Sequence, residues 1–291
     1  MSTFTGKTIL ITGGSRGIGQ AIGLRFAAAG ANIVILAKEE LKNPAANIYV
    51  TADQINAAGG KALPLIVDVT DDNAMELAID EAITQFGNLD VLINNVSAFC
   101  FTDTINIQPE KFDSLISVNI RATFLTSRLC QPHLKKSTNP HIINISPPLD
   151  MDPRWFKNHL AFTMSKYGMS MCTLGMAEEF KRDGIAVNSL WPQTTIATTT
   201  IQDHFVAEVY AGSRWPTIMA DAAFELAQKK AKKCTGHFFI DEELLREAGV
   251  VDFTQYAVDS RAPLIQDLFV PDEKFNETRL LTEELFLQHN V

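Results

Sequence analysis

Residues 8–19 read TILITGGSRGIG, in which a short apolar run leads directly into a glycine-rich turn. The next segment, 20–29, has the composition of a helix, and Gly30 closes it. In this strand–turn–helix context, glycines let the backbone approach a pyrophosphate at the helix N-terminus, so the turn predicts a dinucleotide site. The residues predicted to surround the pyrophosphate are Gly13, Ser15, Arg16, Gly17, Ile18 and Gly19.

The same alternation of apolar strands and helices continues along the chain. Further strands are predicted at 33–36, 63–67, 89–93, 141–145, 185–190 and 238–241, and helices at 52–58, 73–86, 109–134, 159–181 and 220–228. Near-continuous apolar strands separated by helices indicate a parallel sheet that is buried on both faces. The predicted fold class is α/β, a doubly wound parallel sheet of the Rossmann type, with one domain at 1–250. A C-terminal extension at 251–291 is predicted to pack on it.

Composition and charge exclude several classes of partner. The 291 residues carry a net charge of −9 and no basic stripe, which argues against a nucleic-acid surface. No apolar run reaches the roughly 18 residues that a membrane span needs, and the sequence leads directly into the first strand without a signal peptide. The four cysteines lack metal-ligand spacing, so we expect reduced thiols, no metal and a cytoplasmic location.

The end of the second predicted strand bears on which dinucleotide is bound. An acidic residue there would hold the ribose 2′-hydroxyl of NAD, and Ala37 and Lys38 stand in its place. Lys38 and Arg16 can both contact a 2′-phosphate, so NADP is the predicted cofactor. Glu39 and Glu40 follow and are expected to point away. The same missing acid disfavours a methyltransferase, which would use it on the ribose.

Several features together resemble the short-chain dehydrogenase/reductase family. They are the TGxxxGxG spacing of the glycine turn, the run Asn94-Asn95-Val96-Ser97, Asn119, Ser146 and the run Phe162-Thr163-Met164-Ser165-Lys166. The resemblance implies hydride transfer between the nicotinamide and a carbonyl carbon, with a Tyr and a Lys four residues apart as the acid/base pair. Lys166 matches the lysine, which lowers the pKa of the phenol and binds the nicotinamide ribose.

The resemblance also implies roles for residues outside that pair. Asn119 matches the asparagine that anchors a water relay behind the lysine. Ser146 is the candidate serine that orients the carbonyl, although many members use the next position, which is Pro147 here. The matched nucleotide contacts are Asp68 and Val69 for the adenine, Asn95 for the adenosine ribose and Ile196 for the nicotinamide.

Phe162 occupies the position of the family's tyrosine. Its ring lacks the hydroxyl that serves as general acid, and losing such a group typically costs about 10²–10⁴-fold in rate. Three explanations stay open: a weak or inactive relative that binds nucleotide, an engineered Tyr→Phe variant of an active enzyme, or another proton donor. His159, three residues earlier, is the candidate donor, although a histidine at a helix start is expected to be exposed to solvent. Tyr167 is expected to serve packing.

The segment 147–157, PPLDMDPRWFK, indicates one branch of the family, and the resemblance to that branch extends to about Phe269. Members of the branch carry an appended sterol-carrier domain that this sequence lacks, so we do not expect lipid carriage. Helices at 109–134 and 159–181 resemble those through which the family forms homodimers and homotetramers. The aromatic residues in segments expected to line a pocket for a small hydrophobic substrate are Phe99, Phe101, Trp155, Phe156 and Trp215.

The sequence therefore predicts an NADP(H)-dependent oxidoreductase that acts on a hydrophobic carbonyl or alcohol, with Phe162 in its acid position. The alternative is a non-catalytic NADP(H)-binding sensor or scaffold protein. Between these two, the sequence leaves open whether the chain turns over a substrate.

Overall fold

Seven parallel strands form the centre of the structure, a computed structural model that describes residues 4–38, 47–271 and 279–280. They are β1 (Thr8–Thr12), β2 (Asn32–Ala37), β3 (Lys61–Ile66), β4 (Val91–Asn94), β5 (His141–Asn144), β6 (Ala186–Trp191) and β7 (Phe238–Ile240). Their order across the sheet is β3-β2-β1-β4-β5-β6-β7. The winding therefore reverses between β1 and β4, where sheets of this kind bind ligands. The predicted doubly wound α/β fold is confirmed.

Burial explains why these segments are strands. Every residue of β1, β4, β5 and β6 is buried, as expected for central strands that are covered by helices on both faces. The edge strand β3 is only partly buried and contains Pro64, which has no backbone N–H to donate. An edge strand tolerates a proline because one of its sides has no neighbouring strand to bond.

Helices cover both faces of the sheet. They are α1 (Gly17–Ala27), α2 (Ile48–Ala57), α3 (Asp72–Phe86), α4 (Pro109–Leu115), α5 (Ala122–Leu134), α6 (Leu160–Glu179), α7 (Thr199–His204), α8 (Ala207–Ala211), α9 (Thr217–Gln228) and α10 (Asp241–Glu247). One core cluster joins the sheet to α1, α2, α9 and α10, and a second joins its other face to α3, α5 and α6. Within the described ranges, no helix is both long and apolar enough to cross a membrane.

Helix ends follow local capping chemistry. The Asp71 side chain accepts a hydrogen bond from the Ala74 N–H at the start of α3, and Gly87, with φ +80°, ends that helix in the left-handed region. Helix α2 begins at Ile48, four residues before the predicted start, because the Asn47 side chain accepts from the Tyr49 N–H and caps it.

The predicted helix at 109–134 is interrupted. A π-helical segment, Ile116–Arg121, separates α4 from α5, and it contains Asn119. Such segments are rare and often lie at functional sites. The strand predicted at 238–241 ends at Ile240, because Asp241 begins α10.

The described part of the C-terminal extension lies against the segment that follows β6. Strand β8 (Ile265–Gln266) pairs in parallel with β9 (Arg279–Leu280), and Gln266 also forms an antiparallel bridge with Thr194. The indole N–H of Trp191 donates to the Leu268 carbonyl over 2.8 Å. The domain limit predicted at residue 250 stays a prediction, and most of 272–291 lies outside the described residues.

Candidate functional site

The glycine turn is attached to the end of β4 at the point where the sheet order reverses. The Asn95 Nδ2 atom donates to the carbonyl oxygens of Thr12 and Gly13, each over 3.0 Å, and the Thr12 hydroxyl accepts from the Asn95 N–H. Gly13 and Gly17 have φ values of +67° and +57°, which favour glycine. A Cβ at Gly19 would lie 2.4 Å from the Gly13 carbonyl oxygen, so no side chain fits there.

A cleft of about 670 Å³ opens at the carboxyl ends of the strands. The structure brings most of the predicted site residues together on its wall: Gly13, Ser15, Arg16, Gly17, Ile18, Lys38, Asp68, Val69, Asn95, Phe162, Lys166 and Ile196. Gly19, Asn119 and Ser146 are buried behind the wall rather than on it. The glycine-rich turn at one end, where Gly19 leaves no room for a side chain, suits a pyrophosphate, so the residues present fit a dinucleotide.

Charged residues mark one end of the cleft. The Lys38 ammonium lies 2.8 Å from Asp68 Oδ2, and this contact, with the Thr70 N–H, lowers the pKa of Asp68 to about 2. The same hydrogen bond raises the pKa of Lys38. The Lys38 side chain is 74% exposed, so the ion pair contributes little to stability. Glu39 and Glu40 lie outside the described residues.

Lys166, on α6, is buried at the other end of the cleft. Its ammonium donates to the Ile145 carbonyl over 2.8 Å and lies 5.0 Å from the centre of the Trp191 ring. Burial lowers the pKa of Lys166 to about 7, and the charge of Asp267 opposes that shift. The amine therefore exchanges a proton near neutral pH.

Asn119 connects the π-helical segment to two other parts of the site. Its Oδ1 atom accepts from the Ala98 N–H over 2.8 Å, and its Nδ2 atom donates to the Ala98 carbonyl and to Ser165 Oγ. Ser165 in turn donates to the Phe162 carbonyl over 2.8 Å. Asn119 thus fixes the loop after β4 and the first turns of α6, and its water-relay role stays a prediction.

Ser146 faces the interior of the sheet. Its hydroxyl lies 2.8 Å from that of Ser189 on β6, which lies 2.8 Å from the Thr173 hydroxyl on α6. Thr173 accepts from the Asn144 side chain, so these polar groups satisfy one another in a fully buried chain. Its predicted contact with a substrate carbonyl stays a prediction, and this position does not support it.

Phe162 packs into an aromatic cluster at the edge of the cleft. Its ring centre lies 5.0 Å from that of Phe101 and 6.2 Å from that of Phe269. His159 also contacts these rings, and its Nδ1 atom lies 3.0 Å from the Thr163 hydroxyl. The expectation that His159 is exposed is wrong, because the ring is only 8% exposed inside this cluster. It does not line the cleft.

A family model described as short chain dehydrogenase matches residues 7–208. The chain belongs to the short-chain dehydrogenase/reductase family. The Danio rerio protein Hydroxysteroid dehydrogenase-like protein 2 is 51% identical over 267 residues, which cover 91% of this chain and 64% of that relative. The chain thus spans 64% of the length of that curated relative. Its branch is the one indicated by segment 147–157, so that resemblance is confirmed.

Solved structures agree with this membership. A structure from Xanthomonas campestris is 42% identical, has a TM-score of 0.89, and covers 93% of this chain and 100% of its own. A metagenomic short-chain oxidoreductase in complex with NADP is 26% identical, with a TM-score of 0.68 over 82% of this chain and 99% of that one. The glycine turn and Lys166 therefore lie in a fold that this chain shares with solved members of the family.

The predicted pocket aromatics separate into two groups. Phe99 and Phe101 line the cleft. Trp155 packs on Phe269 instead, and Phe156 packs on Tyr167. Trp215 lies in a neighbouring groove beside Arg16 and is 40% exposed. Tyr167 donates its hydroxyl hydrogen bond to the Asp150 carbonyl, and this agrees with its expected packing role.

Sequence reasoning missed the part of the cleft that the C-terminal extension supplies. Asp267 and Leu268 both line the cleft, next to Trp191 and Lys166. They follow no motif of the family and lie about 100 residues beyond Lys166, so only the fold reveals them. Phe205, at the end of α7, was also missed. Among the described residues, no group of three or more His, Cys, Asp or Glu could hold a metal ion.

Proposed function

We propose that this chain binds NADP(H) and exchanges a hydride with a hydrophobic carbonyl or alcohol. The observation that carries the proposal is the shared cleft, which joins the glycine turn to the buried amine of Lys166. A glycine-rich turn that suits a pyrophosphate at one end and a buried lysine amine at the other support a nicotinamide oxidoreductase.

The residues that would hold the nucleotide divide along the cleft. The glycine turn takes the pyrophosphate, Asp68 and Val69 border the adenine, and Asn95 borders its ribose. Lys38 and Arg16 supply positive charge for a 2′-phosphate, which favours NADP over NAD. Solved structures of similar fold include one in complex with NADP and one bound to NAD, so the choice of NADP rests on Lys38 and Arg16.

At the catalytic end, the bound nicotinamide would supply or accept the hydride. Lys166 would hydrogen-bond the nicotinamide ribose, and Ile196 would border the ring. The lysine also lies where its charge can stabilise negative charge that develops on a substrate oxygen. Asn119 holds α6 in register with the loop after β4, and so fixes the position of Lys166.

The substrate side of the cleft favours an apolar molecule. Phe99, Phe101, Phe162 and Phe205 line it, together with Leu268. Apolar walls with a few polar groups are typical of sites for hydrophobic ligands. A lipid-like aldehyde, ketone or quinone is therefore the proposed substrate class.

A second function, nucleotide binding without catalysis, is favoured by one specific observation. Phe162 places an apolar ring where the family has its acid, and the surrounding rings bury that ring to 6% exposure. A sensor or scaffold would keep the cleft and lose the chemistry. This alternative predicts NADPH binding with no turnover of any carbonyl compound.

Assembly and location complete the proposal. We propose a homodimer or homotetramer, because apolar side chains on α5 and α6 are exposed in the single chain: Phe124, Met164, Met171 and Leu174. Contact with a second copy of the chain would bury these side chains away from water. All four cysteines are free thiols, which supports a cytoplasmic location.

The test is NADPH oxidation by the purified chain with decanal, 2-decanone and 9,10-phenanthrenequinone. NADPH binding is titrated in parallel by energy transfer from Trp191, which lines the cleft. Turnover of one compound above the protein-free rate supports the oxidoreductase. Tight NADPH binding with no turnover of any of them supports the non-catalytic alternative, and no NADPH binding contradicts both.

A further inference from the structure

The cleft has an acidic group at its catalytic end. Among the described residues that line it, the charged side chains are Arg16, Lys38, Asp68, Lys166 and Asp267. The first three lie at the end predicted for the 2′-phosphate and adenine. Asp267 lies at the other end, where Phe162 and Lys166 also form the wall. Among the described lining residues, Asp267 carries the only carboxyl group at the Lys166 end of the cleft.

Asp267 is held firmly by its backbone. Its N–H donates to the Gln193 carbonyl over 3.1 Å, and the preceding Gln266 bridges Thr194. Its Oδ1 atom accepts from the Leu268 N–H over 2.7 Å. Within the part of the chain that the structure describes, no hydrogen-bond donor reaches Oδ2. The partly exposed surface of Asp267 lies in the cleft, so this oxygen is accessible to a ligand.

The environment of Asp267 favours a carboxyl group that keeps its proton near neutral pH. Burial raises its pKa to about 7, the nearby charge of Asp241 on α10 adds to that increase, and Lys166 on α6 opposes it. Burial also raises the pKa of Asp241 to about 7. A general acid works best when its pKa lies near the working pH.

We propose that Asp267 is the general acid of carbonyl reduction, in place of the tyrosine hydroxyl that Phe162 lacks, and the general base of alcohol oxidation. The assignment rests on the proposed function. In reduction, a hydride from the reduced nicotinamide bonds to the carbonyl carbon, and the C=O π electrons move to oxygen. That oxygen takes the proton of the Asp267 carboxyl, which becomes a carboxylate and regains a proton from solvent. Oxidation runs these steps in reverse.

A double-substitution cycle tests the assignment. Asp267→Asn keeps the Oδ1 acceptor for Leu268 and removes the proton. We expect it to lower kcat for 9,10-phenanthrenequinone reduction by about 10²-fold or more in the unsubstituted Phe162 background. In the Phe162→Tyr background the same change should cost less than about tenfold, because the phenol supplies the proton. The matched control is Asp259→Asn, an aspartate of the same extension that pairs with the exposed Arg261 and should leave kcat unchanged.

Two further measurements give readouts that do not depend on turnover. NADPH affinity should stay within about threefold across all variants, since a structural defect would lower it. The carboxyl ¹³C signal that disappears in Asp267→Asn should titrate near pH 7, and titration below pH 5 would overturn the assignment.

The outcomes separate this assignment from the proposed function. Equal losses of kcat in both backgrounds would mean that Asp267 is structural. Activity only in chains that carry Phe162→Tyr would overturn the role of Asp267 and leave the nucleotide site standing. Binding of NADPH without turnover in every variant would overturn both the catalytic function and this assignment, and absence of NADPH binding would remove the nucleotide site itself.

Discussion

Replacing Gly19 with alanine tests whether the glycine turn is shaped for a dinucleotide. The new Cβ would lie 2.4 Å from the Gly13 carbonyl oxygen and 2.7 Å from Asn95 Nδ2. Asn95 is itself bonded to Thr12 and Gly13, so the turn must move to make room. Overpacking of this kind costs about 1–3 kcal/mol. A bound pyrophosphate needs the original shape of the turn, so binding would have to restore that shape against this strain. Because about 1.4 kcal/mol is tenfold in affinity, NADPH affinity should fall about 5- to 150-fold.

The matched control for this change is Gly175→Ala. Gly175 lies in α6, and a Cβ there would meet nothing within 4 Å. Alanine should stabilise that helix by about 0.5–1 kcal/mol and leave NADPH binding unchanged. Both variants are assayed by NADPH titration and by thermal unfolding. Undiminished NADPH affinity in Gly19→Ala would refute the pyrophosphate role of the turn, and an equal loss in Gly175→Ala would show that the effect is not local.

Three further results are expected. Lys38→Ala should lower the affinity for NADPH by about tenfold in calorimetric titration, because a charged contact is lost, and should change the affinity for NADH little. Equal losses of affinity for both nucleotides would contradict the 2′-phosphate role of Lys38. Burial lowers the pKa of His141 to about 4, so as the pH falls this histidine is protonated in the unfolded chain before it is protonated in the folded chain. The free energy of unfolding should therefore fall by about 3 kcal/mol between pH 6.5 and pH 4 because of His141. The Tm difference between the unsubstituted chain and His141→Gln should therefore fall over that interval, and a constant difference refutes it. Leu174→Glu should dissociate the proposed oligomer in analytical ultracentrifugation; an unchanged sedimentation coefficient would place the interface elsewhere.

The sequence was most informative where local chemistry determines structure. The run 8–19 combines a buried strand, glycines with positive φ and a helix start. Each of these features restricts which residue types can occupy its positions. Lys166 was identifiable for a similar reason, since its distance from position 162 is fixed by one helix. The structure places both on the wall of a single cleft.

What the sequence could not supply depends on contacts between distant segments. Asp267 reaches the cleft because Gln266 bridges Thr194 and its own N–H bonds the Gln193 carbonyl, both after β6, and irregular segments leave no periodicity that predicts such pairing. His159 was expected in solvent, whereas the rings of Phe101 and Phe269 enclose it. The inward orientation of Ser146 is set by its partner Ser189 on the neighbouring strand. These are tertiary effects.

Isotope transfer tests whether this chain transfers a hydride despite Phe162. NADPH that carries deuterium at C4, in each of its two epimers, is incubated with the unsubstituted chain and decanal. We expect decanol with one deuterium on its carbinol carbon, from one of the two epimers, formed faster than without protein. Unconverted decanal in the presence of bound NADPH, together with labelled decanol from Phe162→Tyr, would contradict it and make this chain a nucleotide binder.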